Sequence, residues 1–174
     1  MTPLDDATII DTLANGPVYR FADWPNAMPT VAVGLYSVWK GDRFIYIGMA
    51  GRARETVLTE ARNAGRACGL RDRLGSHASG RRSGDQFCVY VADRLVLPDL
   101  SPAQIGEIAA GRHGLDALVR EYIHHHLTYR FFAFSELSLA EQHTTRRLER
   151  HIQAGETAMG KPYLNLLPRL SAQG

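Results

Sequence analysis

Cysteine is scarce in this chain, and its scarcity excludes a fold held together by disulfide bonds. Only Cys68 and Cys88 occur among the 174 residues, in unrelated contexts. Disulfide frameworks need several paired cysteines and an oxidising compartment. A chain of this length can also bury a sufficient core without cross-links. We therefore expect one globular domain with terminal extensions, in a reducing, cytoplasmic setting.

Long apolar runs are also missing, and so is a basic start to the chain. No stretch of the sequence approaches the ~20 apolar residues of a membrane-spanning helix. The first thirteen residues carry Asp5, Asp6 and Asp11 but no lysine or arginine, which is unlike a secretory signal. The sequence therefore predicts a protein with no membrane segment and no signal peptide.

Lysine is nearly absent, and 18 of the 20 basic residues are arginine. Eight of these arginines fall between residues 52 and 82, where only three residues are acidic. A guanidinium group binds phosphate through two hydrogen bonds and stays charged at every physiological pH. The whole chain carries a net charge of only +2, so it has no general basic field. The arginine-rich stretch therefore fits a nucleic-acid contact and a solvated helix face about equally well.

The order of apolar segments and turn signals predicts an α+β fold, because strands and helices mix without strict alternation. Residues 31–48 should form a hairpin. Residues 86–92 are apolar on both faces and should form a buried central strand, and 129–134 should form another strand. Helices are predicted at 5–13, 55–67, 70–79, 101–111, 115–127 and 138–153. Ser101 and Ser138, each followed three residues later by Gln or Glu, should cap two of these helices.

Two short strings in the predicted hairpin each join a tyrosine to a glycine. They are Gly34-Leu35-Tyr36 and Tyr46-Ile47-Gly48. Two phenol tips on one hairpin are an uncommon way to build a core and a reasonable way to line a cleft. Downstream, Arg73 and His77 are four residues apart and therefore share a helix face. Each feature taken alone also fits an ordinary structural position.

Glu149 is the candidate metal ligand of the sequence. It follows Leu148 in the predicted helix 138–153, near the buried side, and has no capping role of its own. A lone carboxylate suits Mg²⁺, which takes one or two carboxylates and fills its other positions with water and phosphate oxygens. A glutamate paired with the neighbouring arginines is the alternative. The three consecutive histidines 124–126 point about 100° apart on a helix, so a zinc site is not expected there.

Taken in order, these residues resemble the GIY-YIG nuclease superfamily. The two tyrosine strings are followed by Arg73-x-x-x-His77, Leu148-Glu149 and Pro162-x-x-Asn165. Either tyrosine string alone is weak, but the ordered set of five elements is specific. The resemblance covers about residues 31–167. It implies a small, mainly antiparallel sheet flanked by helices, and metal-dependent hydrolysis of nucleic-acid phosphodiester bonds.

The resemblance also implies a role for each matching residue. The implied catalytic residues are Tyr36, Tyr46, Arg73, His77, Glu149 and Asn165. One of the tyrosines would be the general base, and because a free phenol has a pKa of about 10, it would need nearby positive charge. Arg73 would clamp the phosphate, and His77 would relay the proton or orient the tyrosine. Glu149 would hold Mg²⁺ or Mn²⁺, and Asn165 would be partly structural.

Two departures from the family pattern concern the region after the second tyrosine string. Some members have a lysine directly after the glycine, where this chain has Met49. A basic helical insertion at about 52–69 lengthens the gap to Arg73. The predicted nucleic-acid-binding residues are Arg52, Arg54, Arg62, Arg66, Arg71, Arg81 and Arg82. The expected partner is DNA, including branched or single-stranded DNA.

Tyr36 and Tyr46 can share a site only if they lie on the same face of the sheet. A two-residue turn at 41–42 with regular pairing would place them on opposite faces, because side chains alternate along a strand. A three-residue loop at 40–42 would pair them directly. We therefore predict either an odd-length loop or a β-bulge.

The predicted organisation is an N-terminal extension at 1–30, a nuclease-like domain at 31–167 and a tail at 168–174. A catalytically inactive nucleic-acid-binding domain of the same fold is the alternative function, motivated by Met49 and the modest net charge. An unrelated small-molecule enzyme is a third interpretation, but no cofactor motif supports it. The target specificity, the biological role and the oligomeric state are left open by the sequence.

Overall fold

Four strands form one antiparallel sheet at the centre of the structure. The computed structural model describes residues 5–25, 28–50, 55–134 and 139–165. In the order in which they pair, the strands are β1 (Tyr19–Arg20), β6 (Thr128–Ala133), β3 (Gly34–Lys40) and β4 (Arg43–Ala50). A separate parallel pair joins β2 (Val31–Ala32) to β5 (Cys68–Gly69). The predicted hairpin and the strand at 129–134 are therefore confirmed.

Helices flank the sheet, which confirms the predicted α+β class. They are α1 (Asp6–Asn15), α2 (Glu55–Asn63), α3 (Leu70–Ala78), α4 (Gln86–Val91), α5 (Pro102–Ala109), α6 (Leu115–His126) and α7 (Leu139–Ala154). Ser101 and Gln104 form the predicted capping box of α5, whereas Ser138 lies outside the described residues. Within the described ranges, no helix is both long and apolar enough to cross a bilayer.

The two faces of the sheet pack against different helices, because successive strand residues point to opposite sides. One face carries Tyr36 and Val38 and packs against α3, α4 and α6. The other face carries Leu35 and packs against α1, α2 and α7. Leu58 of α2 is fully buried in this second cluster. The described part of the arginine-rich region is thus anchored to the core through one side of its helix.

Residues 86–92 do not form the predicted central strand, and that prediction is wrong. They begin helix α4, and Asp85 is its N-cap, with Oδ1 accepting the Phe87 N–H at 3.0 Å. The buried residues recur at helical spacing: Phe87, Cys88, Val91 and Ala92. A continuous apolar run fits a buried strand or a buried helix equally well. The Asp85 cap and the packing of α4 against α6 select the helix.

The hairpin turn between β3 and β4 is shorter than the predicted odd-length loop. Lys40 pairs directly with Arg43, so the loop consists of the two residues 41–42. Gly41 has a φ of 56°, a left-handed conformation that glycine adopts at little steric cost in tight hairpin turns. The odd-length loop is therefore wrong.

A β-bulge places the two tyrosines on the same face, as the second alternative predicted. Tyr36 lies opposite Gly48, and Val38 lies opposite Tyr46. The register then shifts by one residue, which leaves Ile45 as the extra residue of β4. This insertion compensates for the even-length turn. The predicted shared face is confirmed, although the two tyrosines are diagonal neighbours rather than a direct pair.

Candidate active site

Three buried side chains from separate elements form a hydrogen-bonded chain. The Tyr36 hydroxyl on β3 lies 2.7 Å from His77 Nε2 on α3. His77 Nδ1 lies 2.6 Å from Asp85 Oδ2 at the start of α4. None of the three residues is more than 2% exposed. The structure thus brings together the predicted residues Tyr36 and His77 and adds Asp85.

Asp85 was not singled out by the sequence patterns. Its only local signal is that of a helix N-cap before an apolar run, and reading 86–92 as a strand hides that signal. Its contact with His77 requires α3 to be followed by a turn and then by α4. An acidic residue eight positions after the histidine has no fixed relation to it until that turn is known.

The hydrogen bonds that join Tyr36, His77 and Asp85 have a defined donor and acceptor at each step. An ionised carboxylate only accepts hydrogen bonds, so Asp85 requires the proton of the imidazole to be on His77 Nδ1. The neutral ring then has a lone pair at Nε2, which accepts the Tyr36 O–H. Tyr36 can therefore pass its proton to His77 while Asp85 stabilises the imidazolium that forms.

Burial has a large effect on the resting charges of Tyr36, His77 and Asp85. It raises the pKa of Tyr36 well above the ordinary value of 10.0. It also lowers the pKa of His77, outweighing the opposite effect of Asp85. Burial alone raises the pKa of Asp85, but its hydrogen bonds with His77 and with the Phe87 N–H hold that pKa below the ordinary 3.8. The resting site therefore contains a neutral phenol, a neutral imidazole and a carboxylate.

The glycines of the two tyrosine strings allow close approach inside the sheet. A side-chain carbon at Gly48 would overlap the hydroxyl and ring of Tyr36. A side-chain carbon at Gly34 would overlap the Phe132 carbonyl on β6. Glycine in a strand interior often marks such an approach. Gly48 therefore leaves the space in which the Tyr36 ring lies.

Tyr46 lies at the rim of the same site and is half-buried. Its ring centroid is 6.3 Å from that of Tyr36 and 6.0 Å from that of His77. Burial raises the pKa of Tyr46, and the Glu149 carboxylate raises it further. Tyr46 therefore keeps its proton in the resting site.

Arg73 lies one helical turn before His77 on α3, and its side chain is exposed. Against the larger effect of burial, its positive charge lowers the pKa of both Tyr36 and Tyr46. The guanidinium therefore lies within electrostatic reach of both hydroxyls. An exposed guanidinium in this position can bind a phosphate that enters beside the tyrosines.

Glu149 approaches the tyrosines from the other layer of helices. It is half-buried on α7, which packs against β4 and β3. After burial, its negative charge is the largest cause that raises the pKa of Tyr46, and it also raises the pKa of Tyr36. The Glu149 carboxylate and the Arg73 guanidinium therefore both act on the pKa values of the two tyrosines, with opposite signs.

The donor set fits a magnesium ion better than a zinc ion. Within the part of the chain that the structure describes, no three His, Cys, Asp or Glu side chains are placed to hold a metal. Zinc needs three or four protein ligands, whereas Mg²⁺ needs one or two carboxylates plus water and phosphate oxygens. Glu149 could therefore hold Mg²⁺ or Mn²⁺ together with a substrate phosphate.

Asn165 supports the framework of the site. Its Oδ1 accepts the Ile47 N–H at 2.8 Å, and its Nδ2 donates to the Ile47 carbonyl at 3.0 Å. Ile47 is the central residue of the second tyrosine string. Asn165 therefore holds the backbone between Tyr46 and Gly48 in place, in agreement with a structural role.

Met49 points away from the tyrosines. It is buried with Leu35 on the face that packs against α1, α2 and α7. Because neighbouring strand residues alternate, a lysine at position 49 would enter this apolar layer rather than the site. Residue 49 therefore does not lie beside the tyrosines, and the next basic residue, Arg52, lies outside the described residues.

The predicted nucleic-acid-binding arginines differ in their surroundings. Four are exposed: Arg62, Arg66, Arg81 and Arg82. Arg71 donates to the Met28 carbonyl at 3.0 Å, and Arg82 pairs with Asp116 at 2.6 Å. Two lie outside the described residues: Arg52 and Arg54. Arg71 and Arg82 therefore have partners within the protein, and the side chains of Arg62, Arg66 and Arg81 face solvent.

The consecutive histidines of α6 have different neighbours. His124 Nε2 lies 2.8 Å from the Ala78 carbonyl oxygen, and His125 Nδ1 lies 2.8 Å from the Glu121 carbonyl oxygen. The His126 ring packs on Tyr122. The three side chains therefore diverge, as helix geometry requires.

Comparison with known proteins adds no family to these observations. No protein-family model, no curated protein and no solved structure matches the chain.

Proposed function

We propose that this protein is a Mg²⁺-dependent endonuclease that hydrolyses phosphodiester bonds of DNA. The observation that carries the proposal is the buried Tyr36–His77–Asp85 chain, with Arg73 and Glu149 within electrostatic reach of Tyr36. Phosphodiester hydrolysis needs a proton acceptor, a cationic phosphate clamp and a carboxylate that can hold a hard cation. All of these residues except Asp85 also carry the resemblance to the GIY-YIG superfamily, which supports DNA as the substrate.

Proton transfer would begin at Tyr36. Its hydroxyl oxygen takes a proton from the attacking water as its own proton moves to His77 Nε2. The water oxygen forms a bond to phosphorus, and the bond from phosphorus to the 3′ oxygen breaks. The products are a 5′-phosphate and a 3′ oxygen that takes up a proton from solvent. Asp85 stabilises the imidazolium until His77 releases its proton.

Arg73 and Glu149 would stabilise the charge that develops during the reaction. Arg73 binds the scissile phosphate through two hydrogen bonds that strengthen as negative charge builds up. Glu149 would hold Mg²⁺, which stabilises charge on the phosphate and on the leaving oxygen when it is bound. Positive charge near the phenols also lowers their pKa values and so opposes the effect of burial.

Substitution of Glu149 by glutamine tests the metal assignment. We expect the wild-type protein to nick or linearise supercoiled plasmid DNA with Mg²⁺, and EDTA to stop the reaction. Glu149→Gln should reduce the rate by about 10³-fold, because it removes the carboxylate that holds the metal. The matched control is Glu107→Gln on α5, an exposed carboxylate paired with Arg112, which should cut at the wild-type rate.

The outcomes separate the two candidate functions. Cleavage that survives both EDTA and Glu149→Gln would contradict the metal assignment. Salt-sensitive DNA binding without cleavage in Mg²⁺ or Mn²⁺ would favour the inactive binding domain instead. Products formed on defined duplex, single-stranded and branched DNAs would then identify the preferred structure of the substrate.

A further inference from the structure

Helix α7 has a basic outer face that the proposed catalytic roles leave unused. Its exposed basic side chains are His143, Arg146, Arg147, Arg150 and His151. Together with Ala154 and Glu156 they line a shallow groove of about 610 Å³. The buried side of the same helix carries Leu148 and Ile152, so this outer face is directed away from the core.

Acidic residues neutralise one part of this face. Both terminal nitrogens of Arg147 bind the Asp6 carboxylate of α1, at 2.6 and 2.7 Å. His151 Nδ1 lies 2.7 Å from Glu156 Oε2. These two basic side chains therefore have partners within the protein.

The remaining basic residues of α7 form a second part, which we call the α7 basic surface (His143, Arg146 and Arg150). None of the three forms an ion pair with another residue in the described ranges. All three are exposed, so they face solvent. This surface is therefore available to an external anion.

The α7 basic surface borders Glu149. At about 100° per residue, Arg146 lies about 60° around the helix axis from Glu149, and Arg150 lies about 100° from it. Arg147 lies about 160° away, on the side that faces α1. The side chains of the α7 basic surface thus begin beside the proposed metal ligand and extend outward from it.

The local charge pattern is unfavourable for an isolated helix. Arg146 and Arg150 are one turn apart, and like charges at this spacing destabilise a helix. Solvated helix faces usually alternate acidic and basic residues, but residues 143–153 contain one acidic residue, Glu149. A polyanion with closely spaced charges would relieve this repulsion, and a nucleic-acid strand carries one phosphate per about 3.4 Å of helix axis.

We propose that the α7 basic surface binds backbone phosphates of the DNA next to the scissile phosphate. The proposal rests on the proposed endonuclease function, because Glu149 locates the DNA. Helices α3 and α7 both contact β4, the edge strand of the sheet, from opposite faces. DNA held by Arg73 on α3 and by Arg146 and Arg150 on α7 would therefore straddle this edge of the sheet.

The test measures DNA binding without cleavage, in EDTA and in the Glu149→Gln background. The affinity for a short DNA duplex is compared between this protein, a variant that also carries Arg146→Gln and Arg150→Gln, and one that also carries Arg147→Gln. Losing two phosphate contacts should lower the steepness of the dependence of log Kd on log salt concentration by about 2. Arg147→Gln should leave it unchanged, since Arg147 is already paired with Asp6.

The result can separate this proposal from the endonuclease proposal. If the variant with Arg146→Gln and Arg150→Gln has the same affinity and salt dependence as the Arg147→Gln control, the proposal that the α7 basic surface binds DNA is overturned, even if the protein cleaves DNA. Absence of salt-dependent DNA binding by the Glu149→Gln protein would overturn it as well. The expected loss of salt dependence in a protein that never cleaves would support the phosphate contacts and reject the nuclease. Thermal unfolding of each variant verifies that the fold is retained.

Discussion

At the level of single residues, the direction of the Tyr36–His77 hydrogen bond depends on Asp85. The carboxylate holds the imidazole proton on Nδ1 and leaves Nε2 free to accept. If the tautomer were reversed, His77 would donate to Tyr36 and could not take its proton. Asp85 is therefore a positioning residue, which acts on the reaction through His77.

Asp85→Asn tests this role with little change in shape. The asparagine oxygen can still cap α4 through the Phe87 N–H, while its amide donates to His77 Nδ1 and moves the imidazole proton to Nε2. We expect the cleavage rate to fall by about 10²-fold or more, and the pH profile of cleavage to change. DNA affinity should stay the same, because Asp85 is buried.

The matched control for this substitution is Asp93→Asn, an exposed aspartate outside the site. It should keep both the rate and the pH profile of the wild-type protein. If Asp85 had only a structural role, Asp85→Asn would lower the stability of the protein without changing the shape of the pH profile of cleavage. That outcome would contradict the positioning role.

At the level of secondary-structure elements, the C-terminal segment completes the edge of the sheet. The Leu164 N–H donates to the Ile45 carbonyl at 2.7 Å, and Asn165 binds both backbone groups of Ile47. Ile45 is the bulge residue, whose backbone lacks a regular partner on β3. The segment thus satisfies the side of β4 that β3 does not cover, and stabilises the bulge that orients Tyr46.

Asn165→Ala should destabilise the protein by about 2 kcal/mol. The substitution removes two hydrogen bonds and leaves the N–H of the fully buried Ile47 without its partner. Urea denaturation measures the change in the free energy of unfolding. Asn15→Ala, which removes an exposed side-chain contact with Asp11 on α1, should change it by less than about 0.5 kcal/mol. Equal effects of the two substitutions would contradict the role of Asn165 in covering the free edge of β4.

At the level of the whole molecule, the candidate site joins elements that are far apart in the chain. Tyr36 and His77 are separated by 41 residues, and Ile47 and Asn165 by 118. The site gathers β3, β4, α3, the start of α4 and α7 at one edge of the sheet. Tyr36, His77 and Asp85 are buried by this assembly, so their protonation is linked to the stability of the whole fold.

Stability should decrease as the pH falls below the ordinary pKa of His77. Burial lowers the pKa of His77 in the folded protein, so near the ordinary value of 6.5 the unfolded chain binds a proton that the folded chain does not. The free energy of unfolding should therefore fall between about pH 7 and pH 5, by at most about 1.4 kcal/mol per pH unit for this group. Asp85, whose pKa is held below the ordinary 3.8, adds its own loss only at more acidic pH.

Urea denaturation at a series of pH values measures this dependence. His77→Gln should flatten the decline between about pH 7 and pH 5, because it removes the group that takes up the proton. His113→Gln, at an exposed position, should follow the wild-type protein. A decline that is the same in all three proteins would show that His77 is not its cause.

Much of the local structure could be predicted from neighbouring residues. The Ser101 capping box, the hairpin and helices α3 and α6 depend on contacts within a few positions, so their signals are visible in the sequence. The prediction of a strand at 86–92 is wrong, because an apolar run does not distinguish a buried strand from a buried helix. That error also concealed Asp85, the member of the hydrogen-bonded chain that the resemblance did not supply.

The amino-acid order alone was enough to single out Tyr36, Tyr46, Arg73, His77 and Glu149 as candidates and to require that the two tyrosines share a face. The tertiary structure decided how that requirement is met, through the bulge at Ile45 rather than through the length of the turn. It also decided that Asp85 completes the chain and that Met49 faces the opposite layer. These features depend on pairing register and on packing between distant segments, which local propensity does not determine.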